Sequence, residues 1–277
     1  MSTPSSSRAR CSRLRIGNDV VDLEHPRCRA RPPDDRLPRR ILADTERAWL
    51  EKAPDEPSRL RRLWSLWAAK ETAFKVISKL RGSPPVFRHR AFQSNLAAKR
   101  ESSGLVRLAG TVEWDSAQDD PGSPTRVTVR VEGVATEHFV HLVGWNDTGE
   151  PHRPPCLEAG VEGQTPGSPS PLAEPSHGPV SGGGLRVASR RARQVAQARL
   201  GSYLGRDRED EGPAPEITIR TSAARPGRTP PHVVVDGQPR PDLDLSLSHH
   251  GRYVGWAFLV PPGIRSSTSP ADVGPAE

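Results

Sequence analysis

The amino-acid sequence predicts an α+β fold made of two similar lobes, each with a helix packed on a small antiparallel sheet, in a pseudo-twofold arrangement. Residues 60–80 and 185–204 both carry apolar side chains at the three- and four-residue spacing of a helix. Each of these segments is followed by short β-branched runs that turn residues separate, which is typical of antiparallel strands. A stretch rich in Pro, Gly and Ser lies between the two units and indicates a linker.

Composition divides the 277 residues into two lobes and three unstructured parts. The first lobe is expected at residues 14–146 and the second at residues 185–262. A disordered linker is expected at 147–184, and disordered tails are expected at 1–13 and 263–277. The 30 prolines and the hydrophobic content of 34% support this division, because they are unusual for one compact core of this length.

Charge and cysteine content narrow the class of protein and its compartment. A net charge of +7 permits an acidic partner, such as nucleic acid, an anionic membrane, an acidic protein or a polyphosphate ligand, without choosing among them. The three cysteines have no metal-ligand spacing and imply no disulfide framework, so a reducing, cytoplasmic location is expected. No segment is apolar over the length that a membrane-spanning helix requires, so we expect no membrane partner.

The first predicted element is a strand within residues 14–23, where β-branched residues surround Gly17. Such a glycine is typical of a strand with a kink or a close backbone approach. Asp19 and Asp22 are unusual in so apolar a run. Taken alone, each aspartate is better explained as a turn or cap residue than as a functional acid.

The longer helix of the first lobe contains an acid on its apolar stripe. Glu71 falls between Trp67 and Phe74, where a carboxylate is costly unless it is paired or binds a cation. One interpretation is a local ion pair with Lys75 at i+4, and from this segment alone it is the preferred one. The other is a site in which Glu71 holds a metal while Lys70 and Lys75 hold phosphate oxygens.

Strands are then expected at residues 86–87, 105–108, 111–114, 126–131 and 139–145, and in the second lobe at 216–220, 232–235, 243–250 and 253–260. The helix that opens the second lobe carries four arginines on its remaining surface: Arg190, Arg191, Arg193 and Arg199. A DNA-contacting helix is conceivable, although a solvated polar face is the more common explanation.

Three short stretches together resemble the motifs of the 4′-phosphopantetheinyl transferase superfamily. Gly17-Asn18-Asp19 resembles its G-x-D motif, and the WAAKETAFK run that ends at Lys75 resembles its [FW]-[SAT]-x-K-E-x-x-x-K motif. Residues 246–249 resemble its S-[IL]-S-H motif. Each motif alone is weak, whereas the combination is specific. The likeness extends over residues 236–239 and 245–258, which are similar to the second-unit motifs of the two-lobed, Sfp-like members.

The order of the motifs differs from that of the two-lobed members, in which the S-x-S-H lobe comes first. Here G-x-D comes first, as in the short, trimeric holo-acyl-carrier-protein synthase type, yet the chain has the length of the two-lobed type. We therefore expect a two-lobed enzyme with its lobes in swapped order, active as a monomer with one site between them. The alternative is an elongated subunit that needs a neighbour.

The resemblance implies transfer of the phosphopantetheine arm of coenzyme A to a carrier-protein serine, with Mg²⁺ as cofactor and 3′,5′-ADP as the leaving product. Glu71 or a metal-bound water is the expected base, and Lys75 would offset developing charge. By the same resemblance the site residues are Asp19 and Glu71 as metal ligands, Lys70 and Lys75 as phosphate contacts, and Ser248 and His249 as contacts of the nucleotide's phosphates.

The sequence departs from the family pattern in two places. Gln238 stands where the Gly-Lys-Pro motif has Lys, which removes an expected phosphate contact that Arg240 or Arg252 could supply. Two-lobed members often have a third acid two residues after the G-x-D aspartate, but that position is Val21 here. Asp22 lies three residues after Asp19 and would face the other side of the strand, so we expect it to be structural.

The expected partners are coenzyme A and an apo acyl or peptidyl carrier protein of fatty-acid, polyketide or nonribosomal-peptide biosynthesis. The basic surface fits the acidic recognition face that the resemblance implies for such carriers. The alternative function is that of a non-catalytic relative that binds a carrier protein, or of a nucleic-acid-binding protein that uses the arginine-rich helix. We expect no nucleic-acid partner.

Overall fold

A computed structural model describes most of both expected lobes. The described residues are 14–29, 36–115, 126–149, 153–154, 156–163, 182–205, 215–221 and 230–260. The expected tails at 1–13 and 263–277 lie outside these residues, as does much of the expected linker. Among the helices of the described ranges, none has the length and apolarity needed to cross a membrane.

The first lobe is a five-stranded antiparallel sheet, and most of its strands follow the predicted pattern. The strands are β1 (Ile16–Asp22), β2 (Phe92–Arg100), β3 (Val106–Asp115), β4 (Arg126–Ala135) and β5 (Phe139–Asn146), in the order β1-β5-β4-β3-β2. β2 was not predicted from its sequence, because it is an edge strand whose last four residues are exposed and polar or small. The expected strand at residues 86–87 is absent from the described structure.

Helices of the first lobe lie between β1 and β2 in the chain, and the longest of them packs on this sheet. They are α1 (Pro26–Arg29), α2 (Arg36–Ile41), α3 (Asp44–Glu51) and α4 (Glu56–Arg81), and a 3₁₀ turn at His89–Ala91 leads into β2. α4 begins after Asp55, whose side chain accepts a hydrogen bond from the Ser58 backbone N–H, and it ends at Gly82 in the left-handed conformation. Its apolar side chains form the main core with the sheet.

In the described residues, the second lobe contains one long helix and two three-stranded sheets. Its elements are α5 (Gly182–Gly205), β7 (Ile217–Arg220), β8 (His232–Val235), β9 (Gln238–Pro239), β10 (Asp244–His250) and β11 (Tyr253–Leu259). The sheets have the orders β7-β8-β9 and β10-β11-β6, where β6 is Leu157–Gly163. The structure therefore confirms the α+β class, while the pseudo-twofold relation of the lobes stays a prediction.

β6 corrects part of the expected disordered linker at 147–184. It pairs antiparallel with β11, from Leu157 opposite Leu259 to Gly163 opposite Tyr253. The prediction failed here because the segment has two glycines and few large apolar residues. One of these glycines fits a close contact: a Cβ on Gly160 would lie 2.6 Å from the ring of Trp256. This strand forms by pairing with β11, which lies about 100 residues later in the chain.

β1 is an edge strand of the first sheet, and side chains of β10 cover its open edge. The backbone N–H of Ile16 donates to Asp244 Oδ2 at 2.8 Å, and that of Asn18 donates to Ser246 Oγ at 2.9 Å. The backbone N–H of Asp22 donates to His250 Nδ1 at 3.0 Å. All three pairs are separated by 228 residues, so the two strands run side by side in one register. This joint brings the S-x-S-H strand to the G-x-D strand.

One face of β1 packs directly on α4. This close packing requires glycine at position 17. A Cβ on Gly17 would overlap the backbone carbonyl oxygen of Thr72 and lie 3.2 Å from the side chain of Val76. Both atoms belong to a buried part of the helix, so neither can move without disturbing the core. The close approach places the neighbouring residue Asp19 against the helix face that carries Glu71 and Lys75.

Gly17→Ala should therefore lower the free energy of unfolding by about 3 kcal/mol, because the methyl group forces strand and helix apart. Urea unfolding followed by circular dichroism measures the change. Gly201→Ala in α5 is the matched control, since its added Cβ meets only Ile217 at 3.6 Å. That control should gain up to about 1 kcal/mol from helix propensity. Equal effects of the two substitutions would contradict the proposed strand–helix contact.

Candidate functional site

The site is built around Asp19 on β1 and Lys75 on α4. The Lys75 ammonium donates to Asp19 Oδ1 at 3.0 Å and to the backbone oxygen of Asn18 at 2.6 Å. The Asp19 side chain is 14% exposed and that of Lys75 is 27% exposed, so both line a surface that a ligand can reach. Burial raises the pKa of Asp19, while Lys75 and the backbone N–H of Val20 oppose that rise.

Glu71 lies one helical turn before Lys75 and interacts with Asp19 through its charge. Burial is the main cause that raises the pKa of Glu71 to about 7, the Asp19 carboxylate raises it further, and Lys75 opposes the rise. Two carboxylates thus share a largely buried place in which one ammonium group balances only one of the two negative charges. The local ion pair considered from sequence describes Lys75 incompletely, because the hydrogen-bond partner of this lysine is Asp19.

The donor set of this site fits Mg²⁺. Both acids offer oxygen ligands, and Mg²⁺ in proteins is held by one or two carboxylates together with substrate phosphates and water. Burial is the main cause that raises the pKa values of Asp19 and Glu71, and a divalent cation would oppose this effect by favouring the ionised carboxylates. The two carboxylates belong to different elements, so only the packing of β1 on α4 brings them together.

His249 on β10, in the second lobe, is within electrostatic range of Lys75. Its Nε2 lies 3.1 Å from Ser189 Oγ of α5, within hydrogen-bond distance. Burial lowers the pKa of His249, and the positive charges of Lys75 and Arg193 lower it further. Lys75, from the first lobe, and Arg193, from α5, are therefore near enough to His249 for electrostatic interaction. Charged and titratable residues of both lobes of one chain thus lie around Lys75.

The arginines of α5 do not form one free face. Arg191 donates to the backbone oxygens of Gly163, at 2.9 Å, and Arg252, at 3.3 Å. Arg199 makes a salt bridge with Glu162 at 2.7 Å. Two of the four arginines that could have contacted DNA thus join the helix to β6 and to the β10–β11 turn. Arg193 is half-buried and interacts electrostatically with His249, whereas the sequence indicated it only as one of the four arginines of the helix.

Lys70, an expected phosphate contact, lies in the core of the first lobe. Its ammonium pairs with Glu46 at 2.7 Å, and both side chains are fully buried. It also donates to the backbone oxygens of His89, at 3.0 Å, and Phe92. A contact between Lys70 and a phosphate would require this buried pair to open. The structure therefore brings Lys75, and not Lys70, to Asp19 and Glu71.

Ser248 and Arg252, the other two expected ligand contacts, are engaged between the lobes. Ser248 Oγ accepts a hydrogen bond from Asn18 Nδ2 at 3.0 Å, and the residue is 5% exposed. Arg252 donates to both carboxylate oxygens of Asp22, at 2.8 and 3.0 Å, and it also pairs with Glu24. Asp22 is 2% exposed, so its structural role agrees with the expectation from strand alternation.

Three potential metal ligands lie beside the Arg252–Asp22 contact. The spacing of these residues in the sequence did not reveal them. Ligand atoms of His25, Cys28 and His250 all lie within 4.8 Å of one another. Nδ1 of His250 accepts from the Asp22 backbone N–H, and Nδ1 of His25 accepts from that of Arg27. Each neutral ring then carries its proton on Nε2, so neither has a free lone pair for a metal. The cluster is therefore a packed contact of His25 and α1 with β10.

Asp19→Asn should lower the pKa of Glu71 from about 7, because the substitution removes the adjacent negative charge. Burial remains, so the value should stay above the ordinary 4.5 of a glutamate. Carbon-13 NMR titration of the glutamate carboxyl groups measures the change. Asp44→Asn, at an exposed position of α3, is the control and should leave Glu71 unchanged. An unaltered Glu71 titration in both variants would show that the two carboxylates do not interact.

Comparison with protein-family models finds a domain of the 4′-phosphopantetheinyl transferase superfamily at residues 15–133. The match confirms the resemblance derived from the motifs for this part of the chain, which carries Asp19, Glu71 and Lys75. It ends before β5 and leaves the second lobe, with His249, outside the matched range. No curated protein matches the chain significantly. The domain supports phosphopantetheine transfer as the general reaction.

Proposed function

We propose that this chain transfers 4′-phosphopantetheine from coenzyme A to a serine of an acyl or peptidyl carrier protein, with Mg²⁺ as cofactor. The observation that carries the proposal is the convergence of Asp19, Glu71 and Lys75 in the matched domain, opposite His249 of the second lobe. The serine oxygen would attack the β-phosphate of coenzyme A, and 3′,5′-ADP would leave. Hard oxygen ligands, a lysine and a histidine suit a pyrophosphate substrate.

Asp19 and Glu71 would hold the cation, one from β1 and the other from α4. When bound, Mg²⁺ neutralises charge on the pyrophosphate and orients it for displacement. The rigid contact of β1 with α4 at Gly17 sets the spacing of the two acids before any ligand arrives. This pre-organisation reduces the cost of ordering the site when the nucleotide binds.

Lys75 would bind a phosphate oxygen of the substrate. Its ammonium has three hydrogens, and within the described residues it donates to the backbone oxygen of Asn18 and to the carboxylate of Asp19. One hydrogen therefore remains for a phosphate. The same two contacts hold the ammonium at a defined place, where it would offset negative charge that develops during transfer.

Glu71 is the proposed general base for the serine hydroxyl. Without a cation the pKa of Glu71 is raised to about 7, and a bound cation would lower it, so that Glu71 would be ionised and able to accept a proton at neutral pH. A carboxylate has two oxygens, so one can face the cation while the other accepts the serine proton. On the opposite wall, His249 and Arg193 would contact phosphates of the nucleotide, because both lie on the second-lobe side of Lys75.

The proposed enzyme acts as a monomer, since residues of both lobes of one chain border its site. The cysteine content favours a cytoplasmic location. Its carrier would belong to fatty-acid, polyketide or nonribosomal-peptide biosynthesis. The net charge of +7 favours association with an acidic carrier through long-range attraction. Salt dependence of the association rate would accompany such attraction.

The purified chain, with coenzyme A and Mg²⁺, should add phosphopantetheine to apo carrier proteins, seen as a mass increase in a panel of carriers. Asp19→Ala and Glu71→Ala should each reduce transfer at least about 100-fold, because each removes a proposed ligand of the cation. Glu51→Ala, which removes an exposed acid of α3, should transfer like the natural chain. Unchanged transfer in both site variants would refute the assigned site.

Lys75→Met and Lys70→Met should separate catalysis from stability. Lys75→Met should lower kcat about 100-fold with the fold retained, because a phosphate contact is lost at a partly exposed position. Lys70→Met should cost about 3–5 kcal/mol of unfolding free energy, because Glu46 is left as an unpaired buried charge. Adding Glu46→Gln should restore part of that loss. Steady-state kinetics and urea unfolding measure the two effects, and the reverse pattern would contradict these roles.

A further inference from the structure

We propose that Ser246 and Ser248 act on the strand that carries Asp19 and not on the substrate, and that Asn18 is the positioning residue through which they act. This inference rests on the proposed function. It assigns the two serines of the S-x-S-H stretch to alignment of the metal-binding carboxylate. His249 is then the residue of that stretch that faces the ligand.

The alternation of side chains along β10 separates these roles. Asp244, Ser246 and His250 bind backbone N–H groups of β1, and Ser248 binds the side chain of Asn18. All four even-numbered positions therefore face β1. His249, on the other face, lies against Ser189 of α5.

Asn18 is held from both lobes at once. It is fully buried, and its backbone N–H donates to Ser246 Oγ at 2.9 Å. The side-chain amide donates to Ser248 Oγ at 3.0 Å and lies 3.4 Å from Nε2 of His141 on β5. The backbone oxygen accepts from the Lys75 ammonium at 2.6 Å. Movement of Asn18 would therefore displace Lys75 as well as the adjacent Asp19.

Burial restricts the access of a phosphate to the two hydroxyl groups. Ser246 is 2% exposed and Ser248 is 5% exposed, and Asn18, from which both hydroxyl oxygens accept hydrogen bonds, lies against them. Gly255 packs against this contact so closely that a Cβ there would lie 2.6 Å from Ser248 Oγ and 2.8 Å from Asn18 Nδ2. A ligand could reach either serine only if the joint between the lobes opened.

The edge of β1 also explains the place of Asp19. The N–H groups of residues 16, 18 and 22 are taken by side chains of β10. The N–H of Val20, next in this alternation, interacts instead with the Asp19 carboxylate. Ser248, which follows Ser246 in the same register, binds the Asn18 amide and leaves Val20 to Asp19. At Val20, therefore, the backbone N–H of β1 binds the Asp19 carboxylate and not a side chain of β10. This difference leaves the Asp19 carboxylate at the edge of the strand.

The test compares hydroxyl deletions in the full chain by two measurements. Calorimetric titration with Mn²⁺, used as the probe in place of Mg²⁺, reports the carboxylate site without any turnover. Steady-state kinetics with coenzyme A and an apo carrier protein reports kcat and KM separately. The variants are Ser246→Ala, Ser248→Ala, Asn18→Ala and the double variant of the last two. Ser94→Ala is the matched control, because this hydroxyl on β2 is buried without a hydrogen-bond partner in the described structure.

We expect each serine variant to weaken Mn²⁺ binding about tenfold and to lower kcat, with KM for coenzyme A unchanged within twofold. The double variant should have the same Mn²⁺ affinity and kcat as Asn18→Ala alone, because both substitutions remove the same hydrogen bond between Asn18 and Ser248. Ser94→Ala should change neither measurement. If Asn18→Ala fails to fold, the two serine variants alone decide the question through the same split between metal affinity and KM.

The inference, but not the proposed function, would be overturned if Ser248→Ala kept normal Mn²⁺ affinity and had a raised KM for coenzyme A. In that case the rise in KM would also be seen when Ser248→Ala is added to Asn18→Ala. Such a result would place the Ser248 hydroxyl on the substrate. A natural chain that neither binds Mn²⁺ nor transfers phosphopantetheine would instead overturn the proposed function, and this inference with it.

Discussion

The structure depends on the way in which the open edge of β1 is satisfied. A sheet edge presents backbone N–H groups that need partners, and here side chains of β10 provide them at a constant separation of 228 residues. Because these partners are side chains and not another backbone, the two sheets meet without merging into one. An apolar cluster that includes Ile16, Trp145 and Leu259 fills the space between them. The proposed site lies at this boundary, where a strand from each lobe reaches the surface.

Buried charge is distributed unevenly along α4, and the distribution separates structure from function. Lys70 and Lys79 are each matched by one acid, Glu46 at 2.7 Å and Asp244 at 2.8 Å. Within the described residues Glu71 makes no such salt bridge, and the negative charge of Asp19 raises its pKa. A site that keeps two acids close together lowers stability in the absence of a cation, and perturbed carboxylates of this kind concentrate at functional sites. The same helix thus anchors both the core and the joint and also carries the acid that the proposed chemistry uses.

The sequence predicted the α+β class, the long helices and the three motifs, because these depend on local patterns of apolar residues and on short, specific strings. It missed β2 and β6, whose residues become ordered only against neighbouring strands. For the site, Asp19, Glu71, Lys75 and His249 were all selected from motifs, and the structure brings them to one boundary. Asn18, His141 and Arg193 were not selected, since no local pattern marks a residue whose partners lie in another lobe.

By itself, the sequence therefore determined which residues make up the proposed site: an acid in a strand, an acid and a lysine one turn apart on a helix, and a histidine after a serine. Only the tertiary structure decided which way the residues next to Glu71 and His249 in the chain face. The lysine before Glu71 turns into the core and pairs with Glu46, whereas Lys75 turns to Asp19. Likewise, the serine before His249 turns to Asn18 and the histidine turns to α5. Adjacent residues in a helix or strand face different surroundings, and only packing shows which of those surroundings is the core, the joint or the site.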